Sequence, residues 1–132
     1  MKYLRRLTFI YTLAILTGCK ETVPERCARE AEEANKLCPK IMNENTLLDS
    51  VKYVKDSNSF IYFYTLKDNE TDELSKVIKN KESKNKLLQE LANDADMRFY
   101  LKQEITFEYI YFSKKGYRLG NIIIAPDDYD IN

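Results

Sequence analysis

"FIYFYTL", residues 60–66, is apolar on both sides of an extended chain, and its reading decides what must surround it. Successive side chains of a strand alternate, so Phe60, Tyr62 and Tyr64 point one way and Ile61 and Phe63 the other. Just upstream, "TLLDSVKYV" (46–54) has the composition of a second strand, and "KDSNS" (55–59) supplies the turn, which makes a hairpin. Further on, "EITFEYIYF" (104–112) resumes the alternation, with Ile105, Phe107, Tyr109 and Tyr111 on one face. "SKKG" turns the chain, Gly116 being suited to a positive φ, and "RLGNIIIA" (118–125) forms the last strand before Pro126. Two hairpins of this kind predict a four-stranded antiparallel sheet.

Between the hairpins the period changes. Leu74, Val77, Ile78, Leu88, Leu91 and Ala95 recur at helical spacing with charges on the opposite side. The polar run "KNKESKNK" (79–86) is either a solvated face or a break between two helices. Asp94 can cap a short helix through "DMRFYLK" (96–102). Before the first hairpin, "ERCAREAEEANKLC" (25–38) predicts a helix from about Glu25 to Leu37, which Pro39 stops. The expectation is an α+β domain in the order α-β-β-α(α)-β-β, with the helices covering one face of the sheet.

The aromatic strands are also the clue to function. If helices cover one face only, some of these rings meet water or a partner. Tyr62, Tyr64, Tyr109 and Tyr111 are the candidates for a partner-binding face, because tyrosine buries ring area while its hydroxyl stays hydrogen-bonded. The alternative is a central strand covered on both sides, whose rings are core.

Residues 1–18 have another character. Lys2, Arg5 and Arg6 precede an apolar stretch from Leu7 to Leu16 that, as a helix of roughly 15 Å, is too short for a hydrocarbon core of about 30 Å. A secretory signal peptide fits. Its end, Leu16-Thr17-Gly18-Cys19, resembles the lipobox of bacterial lipoproteins. The resemblance implies that the Cys19 thiol carries diacylglycerol, that the leader 1–18 is removed, and that acyl chains hold the domain on a membrane at roughly 0.8 kcal/mol per buried methylene. Lys20, where an Asp would retain many lipoproteins in the inner membrane, implies the outer membrane. Residues 19–25 ("CKETVPE") then form the lipidated residue and its tether, and 26–132 a single domain. "EEANKLCP", "TLLDSVKYV" and "IYFYTL" further resemble small envelope lipoproteins of Gram-negative bacteria, in which an EANK-x-x-P helix end precedes a hairpin ending in Y-x-Y. That likeness covers the first half of the mature domain and implies no catalytic residues.

Loss of the leader changes the balance from 21 cations against 21 anions to 18 against 21, so the mature chain is slightly acidic and offers no basic face for nucleic acid. There is no histidine, which excludes Ser-His-Asp triads, Cys-His dyads and the usual zinc sites. No Gly-rich phosphate loop is present. Asp127, Asp128 and Asp130 in "PDDYDIN" lack the spacing of a calcium loop, and a solvated acidic tail is expected. Glu108 interrupts an apolar strand as its solvent-facing residue. Cys27 and Cys38 stand about 16 Å apart along a helix, beyond the roughly 7 Å reach of a disulfide. Two small buried thiols are expected; an intermolecular bridge or a shorter helix would read the same.

The sequence therefore points to a non-enzymatic, lipid-anchored binding or assembly module in the periplasm, with no cofactor or metal, whose partners are the membrane and an envelope protein. An immunity or inhibitor lipoprotein, filling a basic cleft with its tail or sheet face, is the alternative. An enzyme working through carboxylates alone is the weakest reading.

Overall fold

The computed structural model describes residues 20–67 and 71–129. Cys19 and the leader lie outside the described residues. Within them, no helix is long and apolar enough to cross a membrane.

Helix α1 spans Val23–Lys36 and begins two residues before the expected start. The reason is a capping box: the Glu25 N–H donates to the Thr22 hydroxyl at 3.3 Å, and the Thr22 N–H donates to the Glu25 carboxylate at 3.2 Å. Pro24 sits in the first turn, where its missing N–H goes unused. "KETVPE" is thus mostly helix start rather than tether. Strand β1 (Lys40–Asn43), unanticipated from sequence, follows and is exposed throughout. The expected hairpin comes next as β2 (Thr46–Val54) and β3 (Ser59–Leu66). Two helices then occupy the crossover, α2 (Thr71–Lys79) and α3 (Lys81–Asn93). The polar run between them is a break, because the Asn80 side chain accepts from the Glu82 N–H at 3.1 Å and starts α3. Asp94 likewise caps a 3-10 turn (Ala95–Met97), which leads into α4 (Arg98–Lys102). The second hairpin is β4 (Thr106–Ser113) with β5 (Arg118–Ile124), and Gly116 at its turn takes φ +90°.

The sheet has five strands in the order β1-β2-β3-β4-β5, and it is mixed. This corrects the expected four-stranded antiparallel sheet: β1 adds an edge, and β3 pairs with β4 in parallel. The parallel join follows from the crossover. Its helices carry the chain back to the end of the sheet where β3 began, so β4 starts beside Ser59 and runs the same way. Polar contacts anchor that return: the Asn58 carboxamide donates to the Gln103 carbonyl at 3.1 Å, and the Thr106 N–H donates to the Asn58 carbonyl at 3.0 Å.

Alternation and register divide the sheet into two faces. On one lie Val51, Phe60, Phe107, Ile122 and Ile124, and the described helices pack there, α1 across β2 and α2 with α3 across β5. Phe107, Ile105, Ile124 and Cys27 are the largest fully buried side chains. Ile78 of α2 rests on Gly120, where a side chain would meet it. The C-terminal residues are less free than a solvated tail. Tyr129 is buried and its hydroxyl donates to the Ile105 carbonyl at 2.5 Å, while Asp128 pairs with Lys84 at 3.0 Å and accepts from the Ala125 N–H.

Candidate functional site

Parallel, in-register pairing of β3 with β4 sets Tyr62 beside Tyr109 and Tyr64 beside Tyr111. Side chains at i and i+2 share a face, so all four predicted residues come together. The rings are nearly parallel across the strands, with centroids 5.2 Å apart for Tyr62 and Tyr109 and 5.3 Å for Tyr64 and Tyr111. Tyr64 also lies 6.3 Å from Tyr109, which makes the four a continuous stack, extended at one end by Phe60 over Phe107. Offset stacking at these separations adds roughly 0.5–1.5 kcal/mol per pair beyond the area buried.

The ladder lies on the helix side of the sheet, yet α1 stands over β2 on one flank and α2 and α3 over β5 on the other. Helix α4 covers the Phe60 end, where Tyr100 meets Phe60 edge-on at 5.5 Å, and the rest of the central strands is left between the flanks as the floor of a groove. Tyr62, Tyr64 and Tyr111 are half-buried, and Tyr109, the deepest, is 6% exposed. Among the described residues, none of the four hydroxyls is bonded to a protein group, nor is any sealed from solvent without a partner. Tyr62, Tyr64 and Tyr111 keep partial access to solvent, and Tyr109 has little. Burial, and secondarily the neighbouring phenols, push Tyr62, Tyr64 and Tyr109 above the usual phenol range. Tyr111 is pushed up to about 12 by burial and then by Glu90 of α3. The ladder is neutral at any physiological pH. It offers stacking area and hydrogen bonds, and no activated nucleophile.

At the Phe60 end the groove widens into a cleft of about 460 Å³ lined by Arg26, Glu30, Tyr62, Met97 and Tyr100. The Arg26 guanidinium lies over the Phe99 ring at 3.9 Å from its centroid, a cation–π contact joining α1 to α4. No local signal points to this cation, because Arg26 and Phe99 are far apart in the chain.

The two thiols do not meet in a disulfide. Cys27 is fully buried, and burial pushes its thiol up; Cys38 is half-buried and its Sγ donates to the Ala34 carbonyl at 3.2 Å. Glu108 lies on the opposite, helix-free face and accepts from the Asn121 carboxamide at 3.0 Å. Among the described residues no group of three Cys, Asp or Glu side chains is placed to hold a metal ion.

Residues 22–120 match the family described as "Domain of unknown function (DUF8479)", and the chain belongs to that family. No curated protein matches it in sequence. Three solved structures share its fold. A protein of Pseudomonas aeruginosa thought to be secreted superposes with a TM-score of 0.64 at 13% identity, over 82% of this chain and 90% of that one. The type 2 secretion system pilotin EpsS of Vibrio vulnificus gives 0.58 at 12% identity, over 81% and 91%. The type II secretion system pilotin AspS of Vibrio cholerae gives 0.52 at 7% identity, over 77% and 87%. At these identities the likeness is one of fold.

Proposed function

We propose that the chain is a non-enzymatic envelope lipoprotein that faces the periplasm and holds an apolar segment of an envelope protein on its tyrosine ladder. The observation that carries this reading is the groove itself. Four stacked rings whose hydroxyls have no partner among the described residues form a floor that is apolar in area and polar at its tips, the character of an interface core. Pilotins of type II secretion systems share the fold, which favours an assembly role over catalysis. The lipobox Leu16-Thr17-Gly18-Cys19 supports an acyl anchor, and Lys20 the outer membrane. Anchoring would confine the groove to two dimensions and raise its effective concentration near membrane-bound partners. The inhibitor alternative is the less favoured, since Asp128 and Tyr129 of the tail that would fill a basic cleft are engaged by Lys84 and the Ile105 carbonyl of their own domain.

Two measurements test the proposal. A photo-crosslinking residue at position 64 should capture one discrete envelope protein in native membranes, and the same residue at the exposed position 77 should not. Equal labelling from both positions would defeat the groove reading. Cys19→Ser should leave an unprocessed, unacylated chain; an unchanged mature mass would remove the anchor.

A further inference from the structure

The face of the sheet opposite the groove carries no described helix, yet it is not a polar surface. Register places Ile61, Phe63, Ile110 and Phe112 on its central strands, with Leu47 to one side and Ile123 to the other. Ile123 is 45% exposed, and Ile41, which pairs with Leu47 at the β1 edge, is 68% exposed. Leu47, Ile61, Phe63 and Phe112 are half-buried and Ile110 is buried among them, so the accessible part of the face is a mixed apolar surface, and such patches are commonly interaction surfaces.

The few charges within it say what would cover it. In one row across the strands stand Lys52, Ile61, Glu108 and Ile123, so Lys52 on β2 and Glu108 on β4 flank Ile61 at one strand spacing on either side. A second copy laid face to face, with a two-fold axis running along β3 between the sheets, exchanges the positions of β2 and β4. Lys52 of each copy then lies over Glu108 of the other. The same operation sets Leu47 over Phe112, and Ile61 and Phe63 over their own counterparts on the axis. Charge thus meets opposite charge in the Lys52 row and apolar meets apolar in the Leu47 row and on the axis, while Ser50 falls over Ile110 and Ile41 over Arg118; the matched rows have the self-complementarity an isologous interface requires. We infer that the helix-free face docks a second copy of this chain, as two sheets packed into a sandwich.

The area is in keeping. The four longer strands, about 4.8 Å apart and roughly 26 Å long, present about 500 Å² per copy, or about 1,000 Å² in all. That lies at the low end of specific interfaces and fits a reversible dimer. The groove faces away from the contact, so both copies keep it open, and loss of the dimer would leave the groove reading intact.

The test uses the full chain in native envelopes. Phe63 lies on the proposed axis, so Phe63→Cys should give a disulfide-linked homodimer on mild oxidation, while the unsubstituted chain and Val77→Cys should give only the background of Cys27 and Cys38. In the Phe63→Cys chain, Lys52→Glu or Glu108→Lys alone should lower the dimer fraction about tenfold by setting like charges opposite. The exchanged pair Lys52→Glu with Glu108→Lys should restore it. A Phe63→Cys chain that stays at background, or links to a protein of another mass, overturns the inference. So does a dimer fraction indifferent to the single reversals.

Discussion

The carboxamide of Asn35 is bonded twice to the backbone of Val51: it accepts from the Val51 N–H and donates to the Val51 carbonyl, each at 2.7 Å. Strand β1 pairs with β2 only between Thr46 and Leu48, so the outer edge of β2 would be bare at Val51. The Asn35 side chain stands in for a strand there. It also fixes α1 against β2, the flank that walls the groove.

This gives a physical meaning to the Asn of "EANK". Asn35→Ala leaves a donor and an acceptor of a strand peptide without partners, and should lower stability by about 1–3 kcal/mol in denaturant titration. Asn35→Asp keeps the acceptor but sets a carboxylate against the Val51 carbonyl. It should be no better at neutral pH and should recover partly in acid.

Packing of α2 on β5 depends on an absent side chain. A Cβ at position 120 would sit 3.1 Å from Cγ2 of Ile78. Gly120→Ala should therefore cost about 1–3 kcal/mol by overpacking. Ile78→Ala removes the clashing methyl, so the double variant should be less unstable than the sum of the two. Additivity would show that the helix does not rest on that glycine.

Both hairpins and the helical crossover were legible in sequence because each rests on local signals: alternation in β2 to β5, turn residues at 55–59 and 113–116, and the 3.6 period from Leu74 to Leu91. The parallel join of β3 to β4 was not, because it depends on where the crossover ends rather than on the strands themselves. Strand β1 escaped because "KIMN" is too short and too exposed to alternate. The four tyrosines could be named but not their setting. "FIYFYTL" is apolar on both sides, so periodicity alone could not tell which side the helices take, or that they would stand apart over the central strands.

The C-terminal anchor should show in alkali. Burial pushes Tyr129 up to about 12, while an unfolded chain holds its phenols near 10. A raised folded value means that the neutral phenol is favoured in the fold. Its contribution is thus complete below pH 10 and lost as pH rises towards 12. Stability against denaturant should decline over that window, and less steeply in Tyr129→Phe. At neutral pH the same variant should cost about 1–2 kcal/mol, because the buried Ile105 carbonyl loses its donor.

The ladder separates folding from binding by the size of the substitution. The hydroxyls of Tyr62, Tyr64 and Tyr111 bond no described protein group, so Tyr→Phe at each should change stability by no more than about 0.5 kcal/mol. Tyr109 is the deep ring, and Tyr109→Ala should cost about 3–5 kcal/mol through the cavity it leaves between Tyr62 and Tyr64. If the groove holds a partner segment, Tyr64→Phe and Tyr111→Phe together should weaken capture of that partner while thermal unfolding stays put, because hydrogen bonds to the ligand are lost and ring area is kept. A marked loss of stability in the Phe variants would mean that the hydroxyls are bonded within the domain. The tyrosines would then be the inside of a closed layer, with no floor for a guest.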